Sequence, residues 1–587
     1  MATTTTVQPI ITRPASDRSI WRRDMEGKEC TGAEIFVESL VREGVDLMFG
    51  YPGGVVLKIF DELYARRNQI SVITPRHEQA GVHAADGWAK ATGRVGTVIV
   101  TSGPGATNTI TGIATAQMDS VPLVVFTGQV SRELIGSDAF QETDAIGITR
   151  PIVKHSYLIE SPADVAKIVR QAYYIAGTGR PGVVVVDIPK NVTTEKAVFE
   201  WPETVSIRGY KPTVEGHPKS IQRLADAIAQ AERPYLYVGG GVVLANASEE
   251  LMELVNKTHI PVTTTLMALG AFPGTHPLFV GMPGMHGSKL ANIAFQECDL
   301  IVSIGARFDD RVTGKLSAFA PKAKIAHVDV DPSSIKKNVK VDYPVVGDAK
   351  WVLQELNKII KPRQPNEWNR TIAEMKKTHW FKYKPSTSVI RPQYVVEKIY
   401  EMTKGEAIIS SEVGQMQMWA AQYYKFDRPR RWLTSGGLGT MGYGFPAAIG
   451  AQLAFPEALV IDIAGDGSIQ MNIQELTTVV QHNLPVKVAI LNNGFLGMVR
   501  QWQELFYQRH YSSTCLGNIP NFAKIAEAYG AKGLTARTHE EVVPVLEEGL
   551  AYPGPAFMDF LTNPEENVFP MVPAGKALDE MQDEEWA

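Results

Sequence analysis

Asp466 and Asn493 are the residues whose types and spacing point most clearly to chemistry. Asp466 lies in Gly465-Asp466-Gly467 after an apolar run at 459–464, and Asn493 follows Asn492 after a second run at 486–491. Residues from about 472 to 482 carry a helical period, and Pro485 separates them from the second run, so the stretch predicts a β-α-β unit. A right-handed crossover between parallel strands brings both carboxyl ends to one sheet edge and sets Asp466 beside Asn493. One carboxylate and one amide oxygen, with a backbone carbonyl nearby, suit Mg²⁺, whose octahedral shell is commonly completed by ligand phosphates. Gly467 lets backbone approach those phosphates, and a following helix start offers free N–H groups. Either half alone reads as ordinary turn chemistry; the pair at two strand ends is the specific signal.

Such a unit needs a larger parallel sheet to hold it. At 587 residues the chain exceeds one core, and three domains are expected. The fold class expected is α/β, as three doubly wound parallel-sheet domains at 29–190, 221–360 and 393–575. A Pro-, Gly- and Thr-rich linker at 191–220 and a basic, Pro-containing linker at 361–392 join them. In the first domain, strand-like runs end before the loops 51–54, 76–79 and 102–105, where chemistry would sit. Glu78 opens a helix there; alone, it reads as a partner for the helix dipole. His77 and His83 are too far apart for a zinc-protease pair.

In the central domain, Gly239-Gly240-Gly241 follows a strand but lacks dinucleotide spacing. Gly305, Arg307 and Arg311 at strand ends suit a diphosphate, and Asp329 and Asp348 could accept ribose or adenine hydrogen bonds; surface ion pairing is the alternative. The glycine-rich turn at 434–443 opens with Thr-Ser-Gly, echoing Thr101-Ser102-Gly103 and hinting that the first and third domains are related.

Composition narrows the function classes. Hydrophobic content of 44% and charged content of 21% are those of a globular protein. No apolar run is long enough for a membrane span. A net charge of −5 without a basic, aromatic-interleaved stripe argues against nucleic acid. Cys30, Cys298 and Cys515 form neither a metal pair nor a disulfide framework, which points to a reducing compartment. Residues 1–28 read as a disordered extension; Asp17, Asp24 and Glu26 weigh against an organellar presequence. The tail at 576–587 is acidic and expected to be solvated.

GDG followed by NN resembles the thiamine diphosphate motif. Ordered runs extend the likeness: FGYPGG, RHEQ, TSGPGATN, GSDAFQE, LYVGGG, GMHG, RFDDRVTGK, QMQMWAAQ, SGGLGTMGYGFPAAIGA, NLPVKV and LNNGFLGMVRQWQE. Together they resemble the catalytic subunit of the acetohydroxyacid synthase (acetolactate synthase) family, of the FAD-containing biosynthetic type. The resemblance implies decarboxylative condensation of two pyruvates to 2-acetolactate, or of pyruvate with 2-ketobutyrate, early in valine, leucine and isoleucine synthesis. It implies that Glu78 hydrogen-bonds the cofactor's aminopyrimidine. It sets Gln141 near the reacting centre, with Gly54, Phe140 and Lys154 from a neighbouring subunit's side. Gln415, Met416, Gly439, Met441, Asp466, Gly467, Ser468, Asn493, Phe495 and Met498 would line thiamine diphosphate, Met441 as the wedge that bends it. Mg²⁺ would be held by Asp466, Asn493 and the Phe495 carbonyl.

The same likeness assigns FAD to Arg208, Gly240, Thr265, Leu266, Met285, His286, Gly305, Arg307, Asp309, Asp329, Val330 and Asp348, and the acceptor 2-ketoacid to Arg311 and Trp502. It further implies a homodimer or homotetramer, a small regulatory subunit, and a cytoplasmic location, organellar if the extension is a presequence. A thiamine- and FAD-dependent pyruvate oxidase or a pyruvate decarboxylase is the alternative.

Overall fold

The computed structural model describes residues 25–583. Most of the amino-terminal extension and the last four residues of the acidic tail lie outside them. Strands β1 (Glu29–Thr31), β2 (Leu47–Tyr51), β3 (Ser71–Ile73), β4 (Gly96–Val100), β5 (Leu123–Gln129), β6 (His155–Leu158), β7 (Val183–Pro189) and β8 (Lys196–Val198) belong to the first domain. The central domain holds β9 (Pro234–Val238), β10 (Val262–Thr264), β11 (Leu300–Ile304), β12 (Lys324–Asp329) and β13 (Tyr343–Val346). The third holds β14 (Ile408–Ser411), β15 (Trp432–Leu433), β16 (Val460–Gly465), β17 (Lys487–Asn492), β18 (Lys532–Ala536) and β19 (Ala556–Leu561).

Three parallel sheets result, ordered β3-β2-β4-β5-β7-β6, β10-β9-β11-β12-β13 and β15-β14-β16-β17-β19-β18. Central strands such as β5 and β7 are buried along their whole length, as a sheet covered by helices on both faces requires. This is the three-domain α/β fold expected from the alternation of segments. Counted within each domain, the first and third sheets share one strand order, so the two are related in topology. The Thr-Ser-Gly echo is not the reason. Thr101 follows the third strand of its sheet and Thr434 the second, so the tripeptides occupy different loops. The counterpart of the 434–443 turn is the loop that leads to Glu78.

The helices after those two loops, Glu78–Thr92 and Gly444–Ala454, pack face to face. A Cβ on Gly87 would stand 2.2 Å from the Ala447 carbonyl oxygen, and one on Gly450 would stand 1.9 Å from that of Ala84. The contact is reciprocal and leaves no room for a side chain at its two closest points. Around it, the largely buried Lys90 ammonium binds Asp86 at 3.0 Å, Asp119 at 3.1 Å, the Thr434 carbonyl at 2.7 Å and the Tyr443 hydroxyl at 3.0 Å. Burial alone would discharge Lys90, but Asp86 and Asp119 more than offset it and hold the amine above its ordinary value.

Both linkers contain structure that the sequence pattern does not announce. The first carries β8, which pairs antiparallel with β1, and the buried Phe199. The second carries the helix Glu367–Thr378, whose Trp368 indole donates to the Pro234 carbonyl at 3.1 Å and whose Ile372 is buried. One apolar pair a single turn apart is too sparse to show as a period. Part of the acidic tail is also packed: Leu578 is buried and Gln582 bridges to Met571. Among the described residues no helix is long and apolar enough to cross a membrane.

Gly450→Ala should lower the unfolding free energy by about 1–3 kcal/mol, because the new methyl meets backbone that cannot step aside. A denaturant titration of the variant against the parent checks this.

Candidate active site

The β-α-β unit has the expected ends but a shorter helix. Gly465 of β16 pairs with Leu491 of β17, so Asp466 and Asn493 lie side by side past the two strands. The crossover is a 3₁₀ turn at Ile473–Glu475 followed by the helix Leu476–Gln481, and Asp466–Ile469 forms a helical turn of its own. Asp466 is buried, which pushes its carboxyl up to about 7 despite backbone donors from Asn493 and Gly494, and its Oδ2 has no hydrogen-bond partner. A buried carboxylate oxygen left unpaired is costly, and a divalent cation would satisfy it. Asn493 Nδ2 donates to Gln415 Oε1 at 3.1 Å, and Asn493 Oδ1 accepts the Phe495 N–H at 3.1 Å. The residues assigned to Mg²⁺ are thus in one cluster. Among the described residues no group of three or more His, Cys, Asp and Glu side chains could hold a metal, so any cation here relies on amide, carbonyl or phosphate oxygens as well.

The loop that carries Gly467 and Ser468 is tied to the Met441 turn through a residue to which the sequence alone assigns no role. Glu412 is fully buried. Its Oε2 accepts the Ser468 hydroxyl at 2.5 Å and the Gly442 N–H at 2.8 Å, and its Oε1 accepts the Phe445 N–H at 3.1 Å. Met416 packs on Gly465, where a Cβ would stand 1.9 Å from its Cε. Only the tertiary contact reveals Glu412.

At the carboxyl edge of the first sheet, Glu78 opens the helix after β3. It is 9% exposed, and its Oε2 accepts Asn108 Nδ2 at 3.0 Å. The Gln141 backbone, with φ of 59°, lies against Gly103. Gly54 and Phe140 are exposed on the same domain, Phe140 at 88%. No hydrogen bond joins Glu78 to Asp466 among the described residues.

Lys154 is elsewhere. Its N–H donates to the Val183 carbonyl at the amino end of β7, and its ammonium binds the carbonyls of Ile175 at 2.5 Å and Thr178 at 2.6 Å and the Tyr210 hydroxyl at 2.8 Å. Burial lowers its pKa to about 8. The structure does not bring Lys154 to Glu78 and Gln141; the lysine at the carboxyl end of β7 is Lys190, which is exposed.

A cavity of about 790 Å³ runs between the three domains. Of the residues assigned to FAD, Gly240, Thr265, Leu266, Met285, His286, Gly305, Arg307, Asp309, Asp329, Val330 and Asp348 line it. Arg208 does not: it is exposed and outside the lining, and Arg180 of the first domain takes a place there instead. Arg180 binds Ser120 Oγ at 2.9 Å and Asp331 at 3.3 Å. His286 Nε2 and Asp309 Oδ1 are buried without partners, and burial with the nearby Arg311 charge lowers His286 to about 4. Unpaired polar atoms in a cavity of this size suit a large polar ligand.

Arg311 and Trp502 line the same cavity with Gly439, Met441 and Met498, so the residues assigned to the acceptor share it with the methionine assigned as the wedge. Arg311 stands 3.9 Å from Asp310 and 4.0 Å from the Met285 sulfur, leaving its donors largely open. Gln415, Met416, Asp466, Gly467, Ser468, Asn493 and Phe495 lie outside this lining. Met441 joins the two regions: its Cε stands 3.8 Å from where a Cβ on Gly467 would be, an ordinary packing contact.

Family models match in order along the chain: "Thiamine pyrophosphate enzyme, N-terminal TPP binding domain" at 30–148, the central domain of the same enzymes at 221–356, and their C-terminal TPP binding domain at 412–560. The chain is 49% identical over 563 residues to the acetolactate synthase large subunit of Haemophilus influenzae, covering 94% of this chain and 98% of the relative. It is 47% identical over 563 residues to the acetolactate synthase isozyme 3 large subunit of Escherichia coli, with the same coverage. To the acetolactate synthase of Mycobacterium bovis it is 48% identical over 567 residues, covering 94% and 92%. Identity at this level across nearly the whole of both chains, on a fold that sets the GDG and NN loops side by side, makes this chain a member of the acetolactate synthase large-subunit family of thiamine pyrophosphate enzymes.

Proposed function

We propose that this chain is the catalytic subunit of a biosynthetic acetolactate synthase. It would condense two pyruvates to 2-acetolactate, or pyruvate with 2-ketobutyrate to 2-aceto-2-hydroxybutyrate, each with loss of CO₂. The observation that carries the reading is the convergence of Arg311, Trp502, Met441 and Met498 on one cavity beside the Asp466–Asn493 cluster.

Thiamine diphosphate, when bound, supplies the electron sink for decarboxylation of a 2-ketoacid. Asp466 and Asn493, with the Phe495 carbonyl, would hold Mg²⁺ and through it the diphosphate; Ser468 and the N–H groups of the 466–469 turn lie beside that place. Met441 and Met498 would support the cofactor's rings. Glu78 would hold a proton at its carboxylate against the aminopyrimidine, with Asn108 fixing its other oxygen. Arg311 would grip the acceptor's carboxylate in two hydrogen bonds, and Trp502 would wall the site with apolar surface and exclude water. The remainder of the cavity suits FAD, whose phosphates Arg307 would meet and whose ribose and adenine Asp329 and Asp348 would meet; the condensation asks no net redox change of it.

Glu78 and Asp466 sit on different domains with no hydrogen bond between them, which supports a site shared between two copies in a dimer or a pair of dimers. The relatives' description as large subunits supports a smaller partner chain. A cytoplasmic location fits the free thiols of the three cysteines.

Glu78→Gln should lower kcat about 10²–10⁴-fold while Mg²⁺ and thiamine diphosphate still bind; steady-state kinetics alongside calorimetric titration of the cofactor reads both. Arg311→Lys should raise KM for the acceptor ketoacid about tenfold and move kcat less, since lysine replaces a planar fork with a point charge. Supplied with pyruvate, Mg²⁺, thiamine diphosphate and FAD, the purified chain should accumulate acetolactate with its flavin absorbance unchanged. Acetaldehyde as the product would assign a decarboxylase, and bleached flavin without acetolactate an oxidase.

A further inference from the structure

Glu475 belongs to the β-α-β unit that carries Asp466 and Asn493, yet its carboxylate reaches out of that domain. The side chain is 1% exposed and sits at the end of the 3₁₀ turn of the crossover. Its Oε1 accepts the N–H of Arg76 at 2.8 Å and the N–H of His77 at 3.1 Å, while Oε2 accepts the Thr478 hydroxyl at 2.6 Å. Arg76 and His77 are the two residues before Glu78. His77 is the N-cap of the Glu78 helix, and its ring accepts the Gln79 N–H at 3.2 Å. Two backbone donors at the start of this helix are therefore held by one carboxylate from the third domain. Such charge-assisted bonds are shorter and stronger than neutral ones, and an anion here also complements the helix dipole. Arg76 adds a side-chain bond to Gln481 on the same crossover.

Burying a carboxylate is costly, and burial raises Glu475 above its ordinary value even with these donors around it. An apolar side chain would fill the space at less cost, so the gain lies in what the carboxylate fixes. What it fixes is the backbone immediately before Glu78.

We propose that Glu475 is a positioning residue for Glu78, and that it links the two active sites of a dimer. The second half rests on the shared-site reading above. If Glu78 of one chain works with Asp466 of a second copy, Glu475 acts on the site that its own chain's Asp466 does not serve. Any shift of the crossover that accompanies occupation of the Asp466–Asn493 loop in one site would then bear on the catalytic glutamate of the other.

The test begins with homodimers. Glu475→Met removes the acceptor at similar volume and should lower kcat at least about tenfold, with half-saturation by Mg²⁺ and thiamine diphosphate within about twofold of the parent. Glu475→Gln keeps one acceptor oxygen for the two N–H groups and should recover kcat to within about threefold. A loss of cofactor affinity with kcat preserved would show that Glu475 supports its own diphosphate loop and would overturn the positioning role.

Mixed dimers, co-expressed with two affinity tags and purified through both, then test the link. Pairing Glu475→Met with Asp466→Ala leaves one site built from an intact Glu78 segment and an intact Asp466. It should turn over as fast as the mixed dimer of Glu78→Gln with Asp466→Ala. If it stays at the reduced per-site rate of the Glu475→Met homodimer, the link between sites is wrong. If the Glu78→Gln/Asp466→Ala dimer is itself inactive, the shared-site reading fails and takes the link with it. The kcat-against-cofactor comparison in the homodimers still decides the positioning role in that case.

Discussion

The contact between the helices Glu78–Thr92 and Gly444–Ala454 is the constraint on which the rest depends. Backbone meets backbone at Gly87 and Gly450, so the two domains approach as closely as helices can, and in one relative orientation. The largely buried Lys90, shared by Asp86, Asp119, Tyr443 and the Thr434 carbonyl, fixes the register of that contact with directional bonds. Asp119 also takes the N–H groups of Gly436 at 3.2 Å and Gly437 at 2.7 Å. The turn that carries Met441 is therefore shaped from the first domain, and the loop before Glu78 is held from the third.

Reciprocal packing of two related domains has a consequence for the chemistry. Each sheet presents its carboxyl edge with its own share of polar residues: Glu78 and Asn108 on one, Asp466 and Asn493 on the other. Glu78 and the Asp466–Asn493 loop of a single chain end up without a hydrogen bond between them. In the proposed dimer a second copy would complete the site, and the exposed Phe140 beside Gln141 is the kind of surface such an approach would cover. The central domain contributes differently. It closes the large cavity against both other domains and carries Arg311 to Met441 and Trp502.

Much of this is legible in the chain. Apolar runs ending at GDG and NN carry a parallel β-α-β unit in their spacing, and the strand-helix alternation carries the three sheets. What stays hidden depends on tertiary contact or on weak local signals. Glu412 and Glu475 look like ordinary acidic residues until folding sets backbone N–H groups against them. Lys154 follows the 136–142 run closely in sequence, but β6 and β7 run parallel and carry it to the opposite edge of the sheet. Arg208 sits in an irregular stretch with no periodicity to orient it, while Arg180, which does reach the cavity, lies in a Gly- and Pro-bounded turn that offers no motif. The linker helix Glu367–Thr378 buries too few apolar residues to declare itself.

The proposed catalytic centre is divided between two copies of the chain, with the metal and diphosphate on Asp466 and Asn493 and the aminopyrimidine against Glu78. A structure determined with Mg²⁺ and thiamine diphosphate bound tests it most directly. A shared centre requires a diphosphate held by Asp466 and Asn493 of one chain and a pyrimidine ring in hydrogen-bond contact with Glu78 of another. A cofactor whose diphosphate and pyrimidine are both held by the same chain would contradict it.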